Sequence, residues 1–384
     1  MKKISTLLFF LIIVFSLFGC ARGETEKIAI ATAFGLDKSE NGVKVSCQVL
    51  NPHVLGRFPR EIAAVTVYQE EGETVFDAIS KLSKYFQSDI FLSHFQVILI
   101  SEELAREGIE PYLNFFFSNI SSRHKFLTIV TKGITALEVI NIQTTLNLIP
   151  GISIEQKLLS SFKYHGTSRE VYIDEIINDI RTDKANLTLS SLEVHGDPKK
   201  GEGEDNLKKP TPEAMISLCG LAVFKEDKLI GWLNDIESIA YNMIMGEIKT
   251  TVIPVKFDEE STVSIKINKF KSKIEYHKDK KPPAFTIKVN VEGIYSEDTS
   301  GKIERTPEHI NKVQNKTQEE IKRIIQSCIQ KSQNVYNTDF FNFSKKIHQR
   351  NPKYWKEIKD NYDQIYKNIN INVEVKVNII RNRY

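Results

Sequence analysis

The residue with the most specific chemistry is Cys20. Lys2 and Lys3 give a positive start, the run from Ile4 to Phe18 carries no charge, and Gly19 stands directly before the thiol. A basic head, an apolar stretch and a small residue at the cut site describe a secretory signal, here residues 1–19. A cysteine directly after the small residue adds a second expectation. The thiol accepts a diacylglycerol, the chain is cut before it, and the new amine is acylated. The competing expectation is an uncleaved membrane helix, but the run falls short of the ~20 apolar residues a span needs. Each buried acyl carbon contributes about 0.8 kcal/mol, so two or three chains hold a protein firmly to a bilayer. Cys20 is therefore the expected lipidation site.

A catalytic or metal set is harder to find. The chain has no G-x-G-x-x-G, P-loop, H-E-x-x-H or G-x-S-x-G string. Two S-x-x-K strings, Ser122–Lys125 and Ser160–Lys163, lack the partner motifs of a penicillin-binding site. Cys47, Cys219 and Cys328 are too widely spaced for a metal site and odd in number for a disulfide framework, so they are expected as small buried hydrophobes. His94 is expected at a strand entry, His195 with Asp197 at a solvated edge, and His348 on a basic helical stretch facing water. No catalytic, cofactor-binding or metal-binding residue is assigned. Phe340, Phe341, Phe343, Tyr354 and Trp355 form an aromatic cluster punctuated by Asn and Lys. It reads first as core and second as a partner-docking surface.

Composition bounds the scaffold. Hydrophobic content of 41% with 26% charged residues belongs to a folded chain rather than a disordered one. A net charge of +3 with both signs interspersed gives no clustered basic face for nucleic acid. No second stretch reaches membrane-spanning length.

The elements follow from periodicity. Lys27–Leu36 and Val43–Leu50 read as strands around an Asn41-Gly42 hairpin turn, and Ile62–Gln69 as a third. Thr74 with Asp77 resembles a capping box, followed by Val75, Phe76, Ile79, Leu82 and Phe86 at helical spacing. Phe95–Ile100 reads as a buried strand, Glu102–Phe117 as one helix, and Phe126–Thr131 as a strand. Helices dominate from Ala136 to Asp183, and Leu187–Val194 closes this half. Strands alternating with helices predict a mixed sheet with at least one parallel pairing. Asp197–Pro212 carries Pro, Gly and dense mixed charge and reads as a linker. Beyond it come a hairpin, Met215–Phe224 with Leu229–Leu233, and a helix over 234–245. Three alternating strands follow, carrying Val263–Ile267, Phe285–Val291 and Ile371–Val377. A long helix with Ile321, Ile324, Ile325, Cys328 and Ile329 on one stripe lies between the last two, with Thr317 and Glu320 as its expected capping box. The fold class expected is α+β with mixed α/β character in several domains. An N-terminal mixed-sheet unit (24–197) and a linker (198–212) precede a C-terminal unit (211–384). That last unit has a largely antiparallel sheet, helices on one face, and a possible division near 246.

Several segments together resemble a known family. Phe34-Gly35-Leu36-Asp37, Phe91-Leu92-Ser93-His94, Glu102 through Ile109, Ala222-Val223-Phe224-Lys225, and Asp339-Phe340-Phe341-Asn342-Phe343 running on to Ile347, Arg350, Pro352 and Trp355-Lys356 stand in order. They are similar to the Ger(x)C family, the lipoprotein C subunits of bacterial spore germinant receptors, over nearly the whole mature chain. The chain departs from the family at Ala21, where a Trp is usual after the lipidated cysteine. The resemblance implies an extracytoplasmic subunit held to the outer face of the cell membrane and, in the spore, to the inner membrane. It implies integral-membrane A and B subunits as partners, with any small-molecule germinant bound by them, and no catalytic residues. Two other classes compete. A solute-binding lipoprotein of a transporter would have two similar doubly wound lobes, and a lipid-anchored wall hydrolase would need a nucleophile or metal set.

Overall fold

The computed structural model describes residues 29–51, 63–86, 90–119, 125–182, 184, 186–300 and 306–380. The signal segment, Cys20, Ser122 and the expected strand starts at Lys27 and Ile62 lie outside these residues.

Strands β1 (Ala29–Ser39) and β2 (Gly42–Leu50) form the expected antiparallel hairpin. The turn residues are Glu40 and Asn41. Gly42 opens β2 at φ 135°, where a Cβ would come 2.2 Å from the Gly72 carbonyl oxygen. β3 (Val65–Gly72) pairs antiparallel on β2. Helix α1 (Val75–Leu82) is capped by Thr74, whose side chain accepts from the Asp77 N–H, while Asp77 reaches back to the N–H of Glu73 rather than of Thr74. Phe76, expected on the buried stripe, is 65% exposed and stacks on Phe115.

A two-residue strand β4 (Ile90–Phe91) and β5 (Val97–Ser101) both run parallel to β1. The expected single helix after β5 is two, α2 (Glu102–Glu107) and α3 (Glu110–Asn119), because Gly108 takes φ 127° and breaks the ladder. β6 (Leu127–Thr131), α4 (Ala136–Asn141), α5 (Pro150–Tyr164), α6 (Ile173–Arg181) and β7 (Thr188–Gly196) follow. β5, β6 and β7 pair in parallel, so the mixed sheet is present. Every residue of β5 and β6 is buried, as expected of central strands covered on both faces. Helices α1, α2, α3 and α6 pack on one face around Phe34, Ile98 and Val130. Helices α4 and α5 pack on the other, around Ala33, Leu99 and Ile129.

The segment expected as a linker is folded. It holds two single-turn helices, α7 (Pro198–Gly201) and α8 (Asp205–Lys208), with Gly201 and Asn206 buried. Asn206 donates to the carbonyls of Gln143 (2.9 Å) and Ala214 (3.1 Å) and accepts from the Ala214 N–H (3.0 Å). Strand β8 (Ala214–Lys225) then returns antiparallel to β7, and β9 (Lys228–Leu233) follows. The first sheet thus runs β3-β2-β1-β5-β6-β7-β8-β9 across that segment. The hairpin serves two cores by strand alternation. Ala222, Phe224 and Leu229 face the first, whereas Leu221, Val223 and Leu233 face the second.

Helix α9 (Asp235–Met245) has a capping box from Asn234 and Glu237 and ends at Gly246 in the left-handed conformation. The second sheet runs β10 (Thr251–Lys256), β11 (Thr262–His277), β12 (Ala284–Asp298), β13 (Asn370–Ile380). β10 was not expected from the sequence. The pairings are antiparallel except the last, since β12 and β13 run parallel with the long helix α10 (Pro307–Gln330) crossing between them. The cap of α10 is Thr306. Thr317 lies inside the helix, its hydroxyl donating to the Val313 carbonyl at 2.7 Å. The expected stripe of Ile321, Ile324, Ile325, Cys328 and Ile329 is buried. A π-helical stretch (Lys331–Tyr336) leads to α11 (Phe343–Arg350), α12 (Pro352–Ile358) and α13 (Tyr362–Tyr366).

Proteolysis tests the anchoring of the folded connector. Most side chains of 197–212 are exposed and Asn206 is the buried tie. Limited digestion followed by mass spectrometry should show Asn206→Ala cut faster than wild type within 198–212. Equal rates would mean that this side chain does not hold the segment.

Candidate interaction surface

The Phe34–Asp37 segment lies on β1 and has a packing role. Gly35 admits α4, because a Cβ there would meet Ile140 Cδ1 at 2.9 Å and Ala136 Cβ at 3.1 Å. The Asp37 carboxylate accepts from the N–H groups of Ala136 (2.7 Å) and Leu137 (3.0 Å), satisfying the first free donors of α4. Burial pushes this carboxyl above its ordinary value, against the opposing pull of those bonds.

The joint between the two halves is ionic at its centre. Arg169, in the loop between α5 and α6, is 7% exposed. It donates to both oxygens of Glu247 (2.9 and 3.0 Å), to Glu175 (3.0 Å), and to the carbonyl and hydroxyl of Thr188 (3.0 and 2.9 Å). Its guanidinium lies 5.4 Å from the Tyr241 ring centroid. Alongside, Asn242 of α9 donates to the carbonyls of Gly166 (2.8 Å) and Ser168 (3.0 Å). A cleft of about 410 Å³ opens beside the joint, with Arg169, Asp179, Tyr241, Glu247 and Lys345 in its wall. Arg169 is already matched to two carboxylates, so the cleft presents no unpaired guanidinium to a ligand.

A second tie is the Asp339–Phe343 segment. The Asp339 carboxylate is buried and accepts from the N–H groups of Phe343 (3.1 Å) and Ser344 (2.7 Å) and from the Tyr362 hydroxyl (2.7 Å). Burial raises its pKa against those three donors. From the same turn, Asn342 Oδ1 accepts from the Asn186 N–H (2.9 Å), and Asn186 donates to the Asp339 carbonyl (3.2 Å). Lys225 pairs with Asp363 at 2.7 Å. The aromatic cluster is core rather than docking surface: Phe340, Phe341, Phe343 and Trp355 are buried, and Tyr241 stacks on Phe341 at 5.7 Å. Its neighbours Gln349 and Arg350 are exposed, and His348 faces solvent while stacking on Trp355.

The other expected contact, the polar face of the C-terminal strands, is open. Lys269, Lys271 and Lys273 of β11, Asn290 of β12, and Glu374, Lys376 and Asn378 of β13 are exposed. The register sets Lys271 beside Asn290 and Asn290 beside Lys376. Lys273 and Lys288 both bond Glu275 at 2.8 Å, and these two bonds hold its carboxyl down at about 2. Lys269 pairs with Glu292 at 2.8 Å. Among the described residues Lys266, Lys271 and Lys376 make no ion pair, so the face is cationic.

The remaining sequence candidates do not converge. Cys47, Cys219 and Cys328 are free thiols; burial raises all three, Cys219 to about 11 against the pull of its Ser191 bond. His94 lies against Phe91, and His195 lies 3.4 Å from Glu193 on the surface. Ser160 is on the exposed side of α5, while Lys163 lies over the Tyr164 ring. Among the described residues no three His, Cys, Asp or Glu side chains gather as a metal would require, and no helix is long and apolar enough to cross a membrane. Arg169 and Asn186 went unnoticed in the sequence. Nothing in their local pattern distinguishes a buried tie from a solvated polar residue.

Comparison with known proteins gives end-to-end matches. Residues 22–194 match the family model described as spore germination protein N-terminal domain. Residues 219–383 match the model described as spore germination B3/GerAC like, C-terminal. The chain is 25% identical to spore germination protein KC of Bacillus subtilis (strain 168), over 91% of this chain and 88% of that protein. It is 22% identical to spore germination protein B3 of the same strain, over 99% and 97%. The crystal structure of the GerBC protein has the same fold, with TM-score 0.56 and 19% identity over 90% of this chain and 96% of that one.

The Asp339 tie is open to measurement. Removing a buried acceptor strands three donors, so Asp339→Ala should lower the unfolding free energy by about 3 kcal/mol or more, whereas Tyr362→Phe should lower it by about 1.5–3 kcal/mol. Denaturant titration measures both. Losses below about 1 kcal/mol for Asp339→Ala would show that this carboxylate does not hold the turn.

Proposed function

This chain belongs to the Ger(x)C family of spore germination proteins, and from that premise we propose that it is a lipid-anchored, non-enzymatic subunit of a nutrient germinant receptor. The observation that carries the reading is the pair of family models in tandem along one chain, on a fold shared with the GerBC protein. Members of the family act in germinant receptor complexes with other subunits, and association with the spore membrane follows from that setting. Cys20 is the proposed attachment, and the partners are the A and B membrane subunits.

Anchoring confines the body to a thin layer beside the bilayer. Its effective concentration towards partners in the same membrane then reaches roughly the mM range known for short tethers, so modest contacts suffice for assembly. Ligand-driven change in the partners is relayed through those contacts if they differ between the two states. The uncovered lysine-bearing face of the second sheet supports such contacts, because Lys266, Lys271 and Lys376 project from it without an ion pair among the described residues.

Two measurements test this. Cys20→Ala should lose incorporation of a fatty-acid probe and become extractable without detergent; retention of both label and detergent dependence would favour an uncleaved helix. Deletion of the gene in a spore-former lacking redundant receptors should abolish germination to one nutrient class, with growth and sporulation intact. Normal germination to every nutrient would refute the receptor role.

A further inference from the structure

Among the described residues, three of the four sheet edges carry a side-chain bond to the backbone or a proline. On β3, Lys81 Nζ donates to the Glu71 carbonyl at 3.0 Å. On β9, the Tyr336 hydroxyl accepts from the Trp232 N–H (2.9 Å) and donates to its carbonyl (2.8 Å), and Lys331 adds a bond to that carbonyl (3.0 Å). β10 is six residues long and carries Pro254 at its middle. Such devices keep strand edges from pairing with other chains.

β13 is the longest of the four edge strands and carries one such bond, near its far end. It runs eleven residues without Pro, Gly or a shift in register against β12. Among the described residues the one bond its outer edge receives is from Ile379 N–H to Gln314 Oε1, at 3.3 Å. That bond also shows which residues look outward. Backbone groups alternate sides along a strand, so the odd-numbered residues 371–379 present N–H and C=O to the open edge.

The sequence of this edge is its own mirror image: Ile371-Asn372-Val373-Glu374-Val375-Lys376-Val377-Asn378-Ile379 reads the same backwards except that Glu and Lys exchange. We propose that β13 pairs antiparallel with β13 of a second copy, about a two-fold axis through Val375. In that register Glu374 faces the partner's Lys376 twice, Val373 faces the partner's Val377, and Asn372 faces the partner's Asn378. The outward-looking odd residues exchange the backbone bonds. The charged even residues then fall at the non-hydrogen-bonded sites, where opposite side chains stand closest. Slipping by two residues places Glu374 against the partner's Glu374, or Lys376 against the partner's Lys376, and like charges directly opposite are destabilising. A slip by one turns the buried Val373, Val375 and Val377 outward. One register is thereby selected, and a two-fold contact of this kind is closed rather than fibre-forming. The four-stranded sheet of each copy becomes half of a continuous one, with both α10 helices on the same side.

The test uses charge reversal in the detergent-solubilised full chain, read by sedimentation velocity across a concentration series. Wild type should sediment as a dimer. Glu374→Lys and Lys376→Glu should each weaken the dimer about tenfold or more, since each turns two attractive pairs repulsive. An equimolar mixture of the two single variants should dimerise again, because each supplies the charge that the other lacks; the double variant should also recover. Both sites are exposed, and circular dichroism of each variant checks that the fold is kept. A monomeric wild type, or single variants that dimerise as well as wild type, would overturn the proposal. So would failure of the mixture to recover.

Discussion

A guanidinium taken out of water stays charged, and it is tolerated only where its donors meet acceptors. Arg169 meets that condition across the middle of the molecule, with Glu247 after α9, Glu175 on α6 and Thr188 on β7. The two sheets are held at one angle because these partners come from both halves. The hairpin β8–β9 reinforces the constraint, since its alternate residues belong to different cores. Removing the second half would expose an apolar strand face and take Glu247 from Arg169.

The elements most legible in the sequence are those whose own period carries the signal. β1 with β2, the buried β5 and β6, the hairpin at Glu226-Asp227 and the stripe from Ile321 to Ile329 all stand where alternation or helical spacing put them. What a period does not encode is the partner. β13 alternates as cleanly in a parallel as in an antiparallel pair, so its parallel run beside β12 was not legible. The same blindness hid the continuity of the first sheet through residues 197–212, where the composition is that of a loop but Asn206 is buried. Thr317 has the residues of a cap without its place, because α10 begins at Thr306. Of the two candidate contact surfaces, the polar strand face is exposed, while the aromatic cluster is buried among α9, α11 and β12.

The segments that carry the family resemblance are largely structural ties. Gly35 and Asp37 seat α4, and Asp339 with Asn342 closes the C-terminal helices onto Asn186. Ties of this kind leave the surface free to differ between relatives at 22–25% identity.

A body that works while bound to membrane-embedded receptor subunits should be recoverable with them. Affinity capture of the tagged chain from solubilised spore membranes, with quantitative mass spectrometry of what accompanies it, should bring down the A and B membrane subunits in fixed proportion to the chain. Recovery of the chain without them, from membranes that contain both, would rule out the receptor role proposed above.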